Sequence, residues 1–419
     1  MTIKEMLQKL NYEKLSPIQE SVIKNFNKPG NIVGLAPTGT GKTHAYLFPL
    51  LENLKRIENV VEAVILLPTN ELVMQVAKML EETDSEVVFK AYYGSMDMDR
   101  ESERLKNSHP SVVITTPSKL SDLVTTKNAL NIKHLRYFVL DEADMMFDED
   151  FMNLIDPVLV NQNIDKYLLF SATITKNMEP FINKYFGNHI FLDTTSESQL
   201  NIVYRLIKVR ENRLTTLGDV LKRINPYLGI IFVSKNDDIK GVYEYLLGEG
   251  YKVTSFSSTI GVKQRKKILE DIHELKYQYV VSSDLLARGI DFKASHVIHY
   301  DLPYKLEFFK HRSGRTARMG DSGEVITIFD DYDQPKIDKL KNKGVKFVNS
   351  VFVVDGFRAL QKKSKSYDKK IAGEVRKIPK ATRVTPGYKK KRAEKVKTVI
   401  QKIKKARYRN ADFRKSRES

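Results

Sequence analysis

The sequence predicts an α/β protein of two tandem domains, each built on a parallel sheet, followed by a basic extension. Three observations carry this. Short apolar runs rich in Val and Ile alternate with longer amphipathic stretches. The alternation pauses once, in the polar segment 194–201, and then resumes. After about Phe357 it fades, and Lys and Arg take over. Continuous apolar runs suit strands buried on both faces, and the amphipathic segments between them suit the crossover helices of βαβ units.

Taken in order, the first expected strands are 32–35, 64–67, 112–114, 137–140 and 167–170. The second set is 229–233, 251–254, 279–282, 296–299, 325–328 and 351–354. The expected layout is a first domain at 1–195, a linker at 196–205, a second domain at 206–357 and a tail at 358–419. A body of this length exceeds one comfortable core. The halves share a layout but no sequence repeat.

Charge follows the same partition. The net charge is +18, yet the first 360 residues hold 47 basic and 47 acidic side chains. Residues 361–419 carry 23 Lys and Arg against 5 Asp and Glu, and so account for the whole excess. A uniformly basic particle protein is thereby excluded. No Cys is present, which excludes disulfides, thiolate nucleophiles and Cys-ligated zinc and fits a reducing cytoplasm. No apolar run approaches the ~20 residues of a membrane span, and the first 20 residues lack the pattern of a signal peptide.

The first strand runs into Ala36-Pro37-Thr38-Gly39-Thr40-Gly41-Lys42-Thr43. This is a phosphate-binding loop with Ala in the usual first Gly position. Small residues let backbone N–H groups converge on phosphate oxygens at a helix N-terminus. Lys42 can reach the β and γ phosphates, and the Thr43 hydroxyl can ligand Mg²⁺. The fourth strand delivers Asp141-Glu142-Ala143-Asp144 at its C-terminal end. Asp141 is expected to hold Mg²⁺ through water, and Glu142 to position or deprotonate an attacking water. Ser171-Ala172-Thr173 gains weight only from following the next strand. In the second half, Arg312, Arg315 and Arg318 recur at spacing three after His311. They read either as a solvated helix face or, since this half has no phosphate loop of its own, as arginine fingers reaching across a cleft.

Together these residues resemble the DEAD-box family of ATP-dependent RNA helicases over about residues 10–330. The resemblance implies two RecA-like domains, ATP and Mg²⁺ as nucleotide and cofactor, RNA as partner, and local unwinding or remodelling of RNA duplexes. Catalysis would fall to Lys42, Glu142, Arg315 and Arg318. Tyr12 and Gln19 would read adenine, Asp291 would meet the ribose, and Ser171, Thr173, Asp144 and His311 would couple the ATP site to the second domain. Pro68, Thr69, Gly94, Thr116, Pro117, Arg265, Ser283, Arg288 and Gly289 would lie at RNA or the seam. A finer similarity is to the CshB-like cold-shock branch of Gram-positive bacteria, through Thr43-His-Ala-Tyr-Leu47, Asn225-Pro-Tyr-Leu-Gly229 and Pro386-Gly-Tyr-Lys-Lys-Lys391. It implies cytoplasmic roles in stress response, cold adaptation, ribosome assembly or RNA turnover, with a ribosomal precursor or an RNA degradation complex as candidate partners.

Several positions depart from the family pattern. Asn70 stands for Arg, Ser95 for Gly, and Ser118 and Lys119 for Gly and Arg. Ser257 and Ser258 stand for His and Gly, Val262 for Gln, and Thr2 for an aromatic. All are RNA-facing or adenine-packing positions, whereas the phosphate and magnesium positions are intact. The expectation is retained ATP hydrolysis with a weaker RNA grip in the core. The tail interleaves its charge with Tyr367, Tyr388, Tyr408 and Phe413, and Val396, Val399, Ile400 and Ile403 fall at helical spacing. It reads as a disordered or conditionally helical RNA tether, against a solubility tail as the bland alternative. Competing functions are a non-enzymatic RNA-binding chaperone acting through the tail and a DNA helicase of a related branch. A GTPase-type switch is faintly suggested by Ser234-Lys-Asn-Asp237.

Overall fold

The alternation of apolar residues builds two mainly parallel sheets. The structure, a computed structural model, describes residues 1–94, 96–147, 150–196, 201–287, 294–317, 322–354, 356–360, 374, 394, 396–399 and 401. Met1–Phe357 forms one compact unit and Arg358–Ser419 a second. The first sheet comprises β1 (Asn31–Leu35), β2 (Ala63–Leu66), β3 (Phe89–Tyr92), β4 (Val112–Thr115), β5 (Tyr137–Leu140), β6 (Lys166–Ser171) and β7 (His189–Asp193). Its order is β3-β4-β2-β5-β6-β1-β7, with every described pairing parallel.

The second sheet comprises β8 (Asn201–Lys208), β9 (Gly229–Phe232), β10 (Val253–Phe256), β11 (Tyr279–Ser282), β12 (His296–His299), β13 (Ser322–Phe329), β14 (Phe347–Val353) and β15 (Gly356–Ala359), in the order β10-β11-β9-β12-β13-β8-β14-β15. Its first seven positions repeat the first sheet's order strand for strand. Two lobes of one topology therefore arise without a sequence repeat.

Each central strand feeds two cores because successive side chains point to opposite faces. Ile32, Ile65, Ile114 and Val139 enter one apolar cluster, while Val33, Val64, Val113 and Phe138 enter the other. The second sheet divides likewise, with Ile231, Val281 and Ile298 on one face and Ile230, Val280 and Val297 on the other.

The expected strands are present, with the one placed at 251–254 lying instead at Val253–Phe256. Residues 201–205, expected in a linker, belong to β8. Only Leu206 and Ile207 of that strand are fully buried, so its apolar signal is too sparse to read as a strand. β3 and β7 are not among the expected strands for the same reason: their residues are mostly half-exposed. Within the tail, residues 394, 396–399 and 401 are helical, and the Thr398 hydroxyl donates to the Glu394 carbonyl at 2.9 Å. Ile400, Ile403 and the four tail aromatics lie outside the described residues.

His299, at the end of β12, is fully buried and stacks on Phe309 with ring centroids 4.6 Å apart. Burial, aided by the Arg312 charge, pushes its pKa well below the ordinary value. Among the described residues neither ring nitrogen has a hydrogen-bond partner. The ring is thus neutral in the fold, while the unfolded chain takes up a proton near pH 6.5. Its contribution to stability is complete above that pH and is lost as pH falls through it, by at most about 1.4 kcal/mol per pH unit. His299→Phe should remove this slope in urea unfolding between neutral and mildly acidic pH; an unchanged slope would contradict it.

Candidate active site between the lobes

The sheet order explains why distant motifs meet. β5, β6 and β1 are adjacent, so their C-terminal ends bring together the acids after β5, Ser171 at the end of β6 and the loop after β1. Open parallel sheets bind ligands at such ends.

The loop 36–41 turns on two left-handed glycines, Gly39 (φ 85°) and Gly41 (φ 86°). At Gly41 a Cβ would also lie 2.5 Å from the Gln19 amide nitrogen. Ala36 is fully buried and its N–H donates to the Ser171 carbonyl at 3.1 Å. The Thr40 hydroxyl donates to the Pro37 carbonyl at 2.7 Å. The helix Lys42–Asn53 begins here with no side chain capping it, so its first N–H groups are available to an anion. Lys42 is buried, donating to the Ala36 carbonyl at 3.2 Å and lying 3.3 Å from Glu142 Oε1.

Asp141 is held by three donors. The Thr43 and Tyr46 hydroxyls each donate to Oδ2 at 3.0 Å, and the Glu142 N–H donates to Oδ1 at 2.9 Å. Burial, with Glu142 beside it, pushes its carboxyl up to about 6. Burial and Asp141 likewise push the Tyr46 hydroxyl well above its ordinary value. Glu142 sits in a left-handed conformation (φ 52°, ψ 47°), which is costly for a residue with a Cβ. It turns one oxygen to Lys42 and leaves Oε2 buried without a protein partner among the described residues.

A hydrogen-bonded chain then crosses to the second lobe. The Ser171 hydroxyl oxygen accepts the N–H groups of Asp144 (3.2 Å) and Thr173 (3.4 Å). The Thr173 hydroxyl donates to Asp144 Oδ2 at 2.7 Å, and His311 Nε2 lies 3.4 Å from the same oxygen. Burial alone would raise the Asp144 carboxyl, but His311, Thr173 and Lys42 hold it down at about 2. A carboxylate only accepts, so the donor in this contact is the Nε2–H of His311, while Nδ1 meets the Thr38 hydroxyl at 3.3 Å.

Arg312 and Arg315 do not form a solvated helix face. The helix Phe308–Ser313 ends before Arg315, and both Arg312 and Arg315 are fully buried. Arg312 is a strut of its own lobe, bonded to Asp284 (2.5 Å), the Ser234 hydroxyl (2.9 Å) and the Asp301 carbonyl (3.0 Å), over the Phe232 ring. Arg315 donates from Nε to the His311 carbonyl at 3.2 Å. Burial lowers its pKa to about 10, opposed by the nearby Glu142 carboxylate. Arg318 and Asp291 lie outside the described residues.

Of the adenine-reading candidates, Gln19 is buried and ties the Ser16 N–H (2.8 Å) to the Gly41 carbonyl (3.2 Å). Tyr12 packs edge-on against Phe48, and its hydroxyl meets His44 Nδ1 at 2.9 Å.

Pro68, Thr69, Gly94, Thr116, Pro117 and Arg265 all line one groove of about 470 Å³ that spans both lobes. Ser283 follows β11 and does not line it, while Arg288, Gly289 and Ser95 lie outside the described residues. Within the groove Asn70 accepts the Gly94 N–H at 2.8 Å. Arg265 lies 2.7 Å from Glu71 of the first lobe, with both side chains under a tenth exposed, and donates to the carbonyls of Ser258 and Ile260. Sequence reasoning missed Glu71 as a seam residue and the apolar wall of Met145, Met146, Phe151 and Leu154. Apolar residues at helical spacing carry no signal that separates a groove wall from a core.

Fold and site define a two-lobed α/β protein with a phosphate-binding loop, in which His311 and Arg315 of the second lobe are buried against the loop and acids of the first. Comparison with known proteins gives the family. Residues 16–181 match the DEAD/DEAH box helicase model and residues 212–320 match the helicase conserved C-terminal domain. The DEAD-box ATP-dependent RNA helicase CshB of Bacillus subtilis is 34% identical, over 97% of this chain and 95% of that protein. A crystal structure of a DEAD box protein from the hyperthermophile Methanococcus jannaschii has 31% identity and a TM-score of 0.52, covering 83% of this chain and 96% of that one. The fold is also that of S. cerevisiae Dbp5 bound to RNA and ADP BeF3, with a TM-score of 0.72 at 24% identity, covering 83% of this chain and 92% of that one. The chain belongs to the DEAD-box family of ATP-dependent RNA helicases, and its two lobes are the family's RecA-like domains.

Proposed function

We propose that this chain couples ATP hydrolysis to local separation or remodelling of RNA duplexes. The observation that carries the reading is the composite pocket: loop, acids and Lys42 from residues 1–195, His311 and Arg315 from residues 206–357. Lys42 would bind the β and γ phosphates. Glu142, whose Oε2 is buried and without a protein partner among the described residues, would orient the attacking water. Arg315, with Arg318, would offset charge developing on the transferred phosphoryl group.

The Thr43 hydroxyl and Asp141 carboxylate fit Mg²⁺, which takes hard oxygen donors and prefers one or two carboxylates plus substrate phosphates. When bound, Mg²⁺ neutralises phosphate charge and polarises the phosphoryl oxygens. Asp144, His311, Ser171 and Thr173 would report the nucleotide state to the second lobe. The seam-spanning groove would take the RNA backbone, with Ser283, Arg288 and Gly289 at its margin. Tyr12 and Gln19 would border the adenine and Asp291 the ribose. Closure on both ligands would bend one strand, and hydrolysis would release it. A non-enzymatic chaperone has no use for so many buried ionised groups.

Core RNA grip is weaker than in the family pattern, on this reading. Asn70 is spent on Gly94 and Arg265 on Glu71, and the basic tail supplies the missing attraction. Its settings would be the cytoplasm, cold adaptation, ribosome assembly and RNA turnover, with a ribosomal precursor or an RNA degradation complex as partner; these rest on the resemblance alone.

ATPase activity should rise on adding RNA, and Glu142→Gln should lower the stimulated rate by about 10²-fold or more, the scale of a lost general base. A wild-type rate indifferent to RNA would overturn the reading. Deleting residues 361–419 should raise the RNA concentration giving half-maximal ATPase. It should also flatten the salt dependence by about 0.7 in log–log slope for each RNA phosphate that the tail neutralises; an unchanged slope would remove the tether.

A further inference from the structure

Tyr46 lies one helical turn beyond Lys42, in the helix Lys42–Asn53. Its ring is fully buried and packs against Phe170, centroids 5.2 Å apart. The ring alone would serve that core, and a Phe would fill it without adding a polar group. A buried hydroxyl is costly unless it is bonded, and this one donates to Asp141 Oδ2 at 3.0 Å, with the Thr43 hydroxyl beside it. Thr43 and Tyr46 are three residues apart, so they share a helix face. Both donate to that same oxygen.

The pattern of donors is specific. Oδ2 accepts two hydroxyls, which uses both of its lone pairs, and Oδ1 accepts the Glu142 N–H. One lone pair of Oδ1 remains. Thr43 can donate to Asp141 while its oxygen ligates a metal, but its hydroxyl then serves two partners. Tyr46 has no such second duty, and its ring is clamped by the core.

We propose that Tyr46 is a positioning residue for the metal site, locking the Asp141 carboxylate so that the free lone pair of Oδ1 faces the Mg²⁺ hydration shell. This rests on the assignment of Asp141 to Mg²⁺ made above. Partners that hydrogen-bond a metal-associated ligand orient it, and losing one typically costs 10–100-fold in metal affinity or activity.

The test is Tyr46→Phe, which keeps the ring and removes one oxygen. Binding of N-methylanthraniloyl-ADP is followed by fluorescence across a Mg²⁺ titration and in EDTA, with Asp141→Asn alongside. The expected result is a rise of about tenfold in the Mg²⁺ concentration giving half-maximal enhancement of binding, with affinity in EDTA unchanged. In steady-state ATPase assays, kcat should recover at high Mg²⁺. An unchanged Mg²⁺ midpoint in Tyr46→Phe, with enhancement lost in Asp141→Asn, overturns the role of Tyr46 alone. An equal loss of affinity with and without Mg²⁺ also overturns it, since that marks a general disturbance of the pocket. If Asp141→Asn keeps the full enhancement, the assignment of Asp141 falls and the role of Tyr46 with it.

Discussion

A charge removed from water must be matched inside the protein, or folding and closure suffer for it. The seam between the lobes of this chain is governed by that constraint. Lys42, Asp141, Glu142 and Asp144 come from one lobe, His311 and Arg315 from the other, and all have buried side chains. His311 stands between Asp144 and Thr38, and Arg315 lies within the field of Glu142. The first lobe sets three of these carboxylates against one cation, Lys42, and the second lobe brings Arg315 toward Glu142. A pocket that draws buried groups from both lobes would tie nucleotide chemistry to lobe closure, through the chain of Ser171, Thr173, Asp144 and His311.

A second buried link reinforces the first. Arg265 and Glu71 meet across the groove, at the end of the seam where RNA would lie. A buried pair of this kind adds little net stability, but loss of one partner costs about 3–5 kcal/mol. The Asn70–Gly94 hydrogen bond changes the meaning of the Asn70 departure. The residue is not merely an absent arginine, since it ties the loop after β3 to the helix beginning at Asn70.

Sequence periodicity revealed most of the fold, and spacing revealed which residues gather in the candidate site, each for a physical reason. Strands buried on both faces, such as β2 and β5, are unbroken apolar runs and stand out. Edge or half-exposed strands, such as β3 and β7, mix polar and apolar residues and do not. Asn201 to Arg205 read as linker because so few residues of β8 are fully buried. The phosphate loop and the acids after β5 were legible because the chemistry fixes residue type at each position. The fate of Arg312 was not, since spacing of three is equally consistent with a solvated face and with a strut whose partners, Ser234, Asp284 and Asp301, are remote in sequence. The same limit hid Glu71: its partner is almost 200 residues away.

The central claim is that the second lobe supplies a group the first lobe's pocket lacks. Arg315→Ala tests it most directly, with nucleotide binding and RNA-stimulated hydrolysis measured on the same preparation. A shared site predicts binding of the nucleotide analogue close to wild type and hydrolysis reduced by about 10³-fold or more, the scale of a lost arginine finger. Hydrolysis within about tenfold of wild type, well short of that scale, would mean that the first lobe already holds a complete active site, and would contradict the account.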